Sequence, residues 1–231
     1  MPGPFKVAVY LYPNADLLDF SGPVEIYSCR PFDGPSPFSI TSFAHHNPIQ
    51  TDAGALVYTP NATFAEIEPK IEDFDILVIP GAGFDTIQKL IESEEGKQLG
   101  ALLQKFAGSA PRKETGKRIL QSVCSGSILV AAAGLLAGRT ATTHHLGLEM
   151  LKRVADDAAA GGRSNINVVR KRWVDAGTTD AGVRIVNAGG VSSGLDSSLW
   201  IVEQVAGKQA ADWASEVAEF ERRDAAWGVE V

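Results

Sequence analysis

One cysteine is placed to act as a nucleophile. Residues 118–124 (Arg-Ile-Leu-Gln-Ser-Val-Cys) read as a buried strand with a polar start, Ser125-Gly126-Ser127 follows at once, and residues 128–136 form an apolar, alanine-rich helix. Cys124 therefore stands where a strand turns sharply into a helix. A thiol there points out of the sheet, close to the positive end of the helix macrodipole, which favours the thiolate. The same turn offers backbone N–H groups without helical partners, able to hold a developing negative charge. Hydrolases build a comparable elbow around serine. The alternative is a small apolar residue closing a core strand, since free cysteine is among the most buried residue types. The Ser-Gly-Ser that follows favours the nucleophile. The expectation is a thiolate at neutral pH for Cys124 and an ordinary thiol for Cys29.

Other chemistry-bearing residues are fewer. The histidines at 45, 46, 144 and 145 form two adjacent pairs. Neighbours on a strand point to opposite faces, so neither pair makes a metal clamp, and neither a metal nor an organic cofactor is expected. No Gly-x-Gly-x-x-Gly follows the first strand, so a dinucleotide fingerprint is absent. Gly189, Gly190 and Gly194 read as sites of close backbone packing. The four tryptophans, Trp173, Trp200, Trp213 and Trp227, read as core or interface residues.

The elements around the cysteine alternate. Strands are predicted at 6–12, 38–43, 75–80, 118–124, 140–143, 168–175 and 183–187, with a hairpin over 49–59 around Asp52-Ala53-Gly54. Helices are predicted from Pro23 to Ser28 after a turn at 17–20, and at 84–92, 95–107, 128–136, 146–156, 197–206 and 210–227. Near-continuous hydrophobic strands separated by helices predict an α/β fold with a mostly parallel, doubly wound sheet. Ligands bind such sheets at the carboxyl ends of the strands. Three loops meet there: residues 16–22, Pro80-Gly81-Ala82-Gly83 and the elbow.

The 231 residues fit one large domain, taken as 1–231, and the composition, 45% hydrophobic and 21% charged, is that of a globular protein. A net charge of −7 argues against a nucleic-acid partner. Two cysteines make no disulfide framework, the amino-terminal residues lack signal-peptide character, and no apolar run reaches membrane-spanning length. The expectation is a cytoplasmic protein with neither membrane nor nucleic-acid partner.

The cysteine block Val123-Cys124-Ser-Gly-Ser127, then Ala133-Gly-Leu-Leu-Ala-Gly138 and Ala141-Thr-Thr-His144, resembles the ThiJ/PfpI superfamily. Ile79-Pro80-Gly81 and the late pieces Gly189-Gly190 and Ser193-Gly194-Leu195-Asp196 support it. The turn Leu18-Asp19-Phe20-Ser21-Gly22-Pro23 is similar to that of its isonitrile hydratase branch. The resemblance covers most of the chain. It implies a flavodoxin-like fold, a homodimer with the cysteine near the subunit interface, and a carboxyl hydrogen-bonded to the sulfur, here Asp19. Such an acid can donate to a thiolate and then protonate the carbon that the sulfur attacks. The alternative for Asp19 is a turn or cap residue, with Asp16 and Glu25 as rivals. Gly81, Ala82, Gly83 and Ser125 would orient the reacting group. Ala82 departs from the Pro-Gly-Gly common in the family, and Ser125 from threonine. His144 is placed near the site in a supporting role, while His145 reads as a helix cap.

The implied activity is hydration of a small-molecule isonitrile to an N-formamide through a Cys124 thioimidate. The alternatives are a glyoxalase or deglycase acting on small 2-oxoaldehydes, in which Glu25 and His144 would matter more than Asp19, and a redox- or ligand-sensing protein without turnover. The same domain occurs fused to helix-turn-helix regulators, but the residues beyond about 206 are too few for such a unit.

Overall fold

The computed structural model describes residues 4–31, 34–51 and 54–225. In chain order the first half holds β1 (Phe5–Leu11), α1 (Leu17–Ser28), β2 (Phe38–Ala44), β3 (Ile49–Gln50), β4 (Val57–Tyr58), β5 (Ala62–Thr63), α2 (Phe64–Ile67), β6 (Ile76–Ile79), α3 (Phe84–Glu92) and α4 (Glu94–Gly108). The second half holds β7 (Ile119–Ser122), α5 (Gly126–Ala132), β8 (Thr140–Ala141), α6 (Leu148–Ala158), β9 (Asn167–Val168), β10 (Trp173–Thr178), β11 (Arg184–Ala188), α7 (Ser193–Ala206) and α8 (Lys208–Val217).

Seven strands form the main sheet, in the order β10-β11-β7-β6-β1-β2-β5. All neighbours are parallel except β10 and β11. Every residue of β6 and β7 is buried, as expected of strands covered on both faces. One layer is built by α1, α7 and α8, and the other by α3, α4, α5 and α6. Among the described residues no helix is long and apolar enough to cross a membrane.

The strand order positions the site. From β1 the chain crosses to β2 on one side, and later resumes at β6 on the other side of β1. The connections after β1 and β6 therefore diverge, opening a crevice at the carboxyl ends of these two strands. The loops 12–16 and 80–83 enter it, and the elbow after the adjacent β7 completes it.

Several expectations need correction. Residues 17–20 are not a turn: α1 already starts at Leu17, because Asp16 caps it by accepting the Leu18 N–H (3.1 Å). Pro23 consequently lies inside the helix, where it has no N–H to offer the Asp19 carbonyl. The expected strand 168–175 is split into β9 and β10. Helix α7 starts at Ser193, so the Ser-Gly-Leu-Asp motif is helical, and α5 stops at Ala132 instead of 136. The hairpin is formed by β3 and β4, although Asp52 and Ala53 lie outside the described residues. Helix α8 ends at Val217, and Trp227 also lies outside the described residues.

Candidate active site

The elbow is held from several directions. Cys124 has a left-handed backbone, φ 57°, uncommon for a residue with a side chain and sustained only where surroundings over-determine it. Its N–H is shared by the carbonyls of Ala188 (3.2 Å) and Gly189 (2.9 Å). Its carbonyl accepts the hydroxyls of Thr143 (2.9 Å) and Ser127 (3.2 Å). Gly126 lets α5 begin hard against the end of β6: a Cβ there would lie 2.3 Å from the Ile79 carbonyl oxygen.

The carboxyl of Asp19 faces this sulfur. Because α1 begins at Leu17, Asp19 falls in its first turn and is wholly buried. Its Oδ2 accepts the Gly81 N–H (2.9 Å). Oδ1 is buried without a hydrogen-bond partner, and the side chain that interacts with the carboxyl is the Cys124 thiol. Gly81 cannot be replaced here, since a Cβ would sit 2.5 Å from Ser125 Oγ and 2.8 Å from Asp19 Oδ2. The loop is pinned further by the Asp16 N–H on the Gly81 carbonyl (2.9 Å) and by the Tyr12 hydroxyl on the Pro80 carbonyl (2.9 Å).

Ser125 is tied to the same loop, accepting the Ala82 N–H (2.9 Å) and donating to the Ala82 carbonyl (2.6 Å). The structure thus brings Gly81, Ala82 and Ser125 together at the sulfur, but the N–H groups of Gly81 and Ala82 are engaged by Asp19 and Ser125. They shape the pocket. The backbone N–H groups of Ser125 and Val191 act on the sulfur and favour its charged form. Gly83 caps α3 at the rim of the crevice. Ala82 is buried, pairs with Ala15 in an isolated bridge and lies outside the left-handed region, so its methyl group brings no strain.

Burial dominates the electrostatics. It raises the Asp19 carboxyl to about 8, helped by the charge of Asp16 and opposed by the hydrogen bonds from Gly81 and Cys124. It raises Cys124 to about 12, helped by Asp19 and opposed by the N–H groups of Val191 and Ser125. The expected resting thiolate is therefore corrected. Cys124 is only 7% exposed and its sulfur faces a carboxyl, and a helix of seven residues does not offset that desolvation. Cys124 and Asp19 titrate as a pair. The first proton leaves near pH 8, and the second is held to a higher pH. Cys29 is also raised, by burial and by Glu25.

His144 stands at the edge of the site. Its Nδ1 accepts the Leu146 N–H (3.3 Å), it packs edge-on against Phe84, and burial lowers its pKa. Glu25 is not brought to the site: it is exposed and lies beside Cys29, whose Sγ reaches the Glu25 carbonyl (3.5 Å). Sequence reasoning missed Val191, Thr143 and Tyr12. Val191 acts on the cysteine through its backbone N–H, which leaves no side-chain signature, and Thr143 through a hydroxyl on the Cys124 backbone carbonyl; only the Gly189-Gly190 pair hinted at a tight loop. The glycines there do pack closely, a Cβ on Gly190 lying 2.8 Å from His144 and one on Gly194 3.1 Å from Val123.

A family model described as the DJ-1/PfpI family matches residues 5–182. An uncharacterised Streptomyces lividans protein is 36% identical over 143 residues, which is 62% of this chain and 89% of that one. The isonitrile hydratase of Pseudomonas putida is 25% identical over 206 residues, 89% of this chain and 74% of the relative. The crystal structure of Drosophila melanogaster DJ-1beta superposes with a TM-score of 0.71 at 17% identity, covering 95% of this chain and all of that one.

Proposed function

The chain belongs to the DJ-1/PfpI family, and we propose that it hydrates isonitriles to N-formamides through the Cys124–Asp19 pair. The observation that carries this is a wholly buried carboxyl, paired with no cation among the described residues and raised to about 8, in contact with the elbow cysteine. An acid held protonated near neutral pH beside a nucleophile suits a reaction in which carbon must be attacked and protonated together.

In the singly protonated pair the sulfur bonds to the terminal isonitrile carbon while the Asp19 proton passes to that carbon. The product is the thioimidate Cys–S–CH=N–R, with Asp19 as the carboxylate. Water then adds across the C=N bond. Asp19 takes a proton from the water and passes it to the nitrogen, so that it is again the carboxylate. Collapse of the tetrahedral intermediate releases the thiolate and the formamide, and the proton lost from the hydroxyl remains on the pair. The N–H groups of Ser125 and Val191 stabilise the sulfur whenever it carries charge. Assembly as a homodimer belongs to the same reading. It would cover the exposed Leu17, Leu18 and Leu146.

The glyoxalase reading loses its base, because Glu25 is exposed beside Cys29. The test is one panel: an aryl isonitrile, an alkyl isonitrile and methylglyoxal, offered to the wild type, Cys124→Ala and Glu25→Gln, with products identified by mass. Formamide from the isonitriles, abolished in Cys124→Ala and unaffected in Glu25→Gln, is expected. Turnover of methylglyoxal alone, lost in Glu25→Gln, would overturn the reading.

A further inference from the structure

A buried ion pair next to the site takes no part in the hydration scheme. Asp196, wholly buried in the first turn of α7, accepts Arg172 Nε (2.8 Å) and Nη2 (2.7 Å) on Oδ2, and the Arg223 N–H (2.6 Å) on Oδ1. The same Nη2 donates to Ser192 Oγ (3.0 Å). The Arg172 carbonyl accepts the Gly189 N–H (2.8 Å). Gly189 comes so close that a Cβ would lie 2.9 Å from the Lys171 carbonyl oxygen. Arg172 thus grips both ends of the loop 189–192, with its backbone at one and its side chain at the other.

Between those grips lie the loop's contacts to the nucleophile. The Gly189 carbonyl receives the Cys124 N–H (2.9 Å), and the backbone N–H of Val191 is near enough to the sulfur to favour its charged form. Val191 holds φ at 25°. A β-branched residue does not adopt that conformation unaided, so something must impose it. A buried ion pair is weak as a source of stability but strong as a constraint on geometry when its partners are hydrogen-bonded on every side.

We propose that the Arg172–Asp196 pair positions the nucleophile: it fixes the loop 189–192, whose Gly189 carbonyl holds the Cys124 N–H and whose Val191 N–H faces the sulfur. This rests on Cys124 as the reactive group and not on any substrate, so the test needs no isonitrile, and inactivity on isonitriles would leave it standing.

The test is the rate of alkylation by iodoacetamide against pH, in a Cys29→Ser background with one thiol. The double variant Arg172→Met/Asp196→Asn removes both charges together and keeps an acceptor for the Arg223 N–H. It should alkylate about tenfold more slowly below the thiol pKa, the loss expected when a hydrogen bond to a charged group goes, with its pH profile displaced upward. Ser192→Ala, which removes one grip and leaves no charge unpaired, should move the profile the same way by less. Arg172→Lys should fall between them, because an ammonium cannot reproduce the guanidinium fork. Loss of fold would expose the sulfur and speed alkylation, so the sign of the change separates positioning from unfolding. A wild-type profile in a folded double variant, or in Ser192→Ala if the double variant does not fold, would overturn the proposal.

Discussion

The two ends of the parallel sheet each bury an aspartate, and they treat it in opposite ways. At the amino end of β6, Asp75 accepts Arg112 Nε (2.9 Å) and Nη2 (3.0 Å), the Thr115 hydroxyl (2.6 Å) and the Lys6 N–H (2.8 Å). Across β1, at the carboxyl end, Asp19 is equally buried but receives one backbone N–H and a thiol. No cation pairs with it among the described residues. Burial is the same, so partners decide what each carboxyl does. A buried carboxyl ringed by donors and a guanidinium ties elements together. One left without a cation retains its proton, which is the property that acid catalysis uses.

The sharpest way to break this contrast is to neutralise each aspartate in turn. Asp19→Asn keeps the shape and the acceptor for Gly81 but has no proton to give. Turnover of an isonitrile should fall by roughly 10²–10⁴-fold with the fold intact. Asp75→Asn strands the Arg112 guanidinium, only partly reached by solvent, and should cost up to about 3–5 kcal/mol of stability while kcat per folded molecule is unchanged. Unfolding in urea and turnover, measured on both variants, separate the two roles. Equal loss of turnover in both would mean that Asp19 is merely structural.

The next effect is on stability against pH. The folded-state pKa of Asp19, about 8, lies above its ordinary value of 3.8. Folding therefore favours the protonated form, and the stability linked to it is full below about pH 4 and is lost as pH rises through about 8. Cys124, raised from 9.0 to about 12, adds a second loss of the same sign at higher pH. The surface carboxyls Glu66 and Asp156, held low by hydrogen bonds, act in the opposite direction at the acid end. The melting temperature of the wild type should thus decline between pH 5 and 8 relative to that of Asp19→Asn. Parallel curves over that window would show that Asp19 is ionised in the folded protein. In kcat/KM the same pair should give a rise with pH toward about 8, as the first proton leaves.

Much of this was legible in the sequence, for identifiable reasons. The strands at 75–80 and 118–124 are covered on both faces, so their continuous hydrophobicity could mean little else, and the cysteine at the end of the second had to emerge at the carboxyl edge. The start of α1 was missed because Pro23 is a strong signal for a first turn, and it outweighed the cap at Asp16, whose hydrogen bond to Leu18 decides the matter. That error of six residues also hid how Asp19 becomes buried. The protonation of Cys124 was misjudged for a different reason. A helix amino terminus can be read from sequence, whereas the desolvation opposing it depends on neighbours from β1, β6 and β11 that only the fold assembles.

The smallest effect concerns the loop where the family's second glycine is missing. Gly81 and Ala82 are adjacent but not equivalent. A methyl group at 81 would collide with Ser125 Oγ at 2.5 Å and with the Ser125 nitrogen at 2.7 Å, so Gly81→Ala must push either the elbow or Asp19 out of place and should reduce turnover sharply. At 82 the methyl group is already accommodated, and the backbone is not in the left-handed region that requires glycine. The hydrogen bonds of that residue to Ser125 come from its backbone and would survive substitution. Ala82→Gly should leave turnover within about twofold. It should lower stability by only about 0.5–1 kcal/mol, through the greater freedom of glycine in the unfolded chain. A gain of tenfold or more in kcat for Ala82→Gly would instead mean that the methyl group obstructs the pocket and that the loop works best with the glycine it lacks.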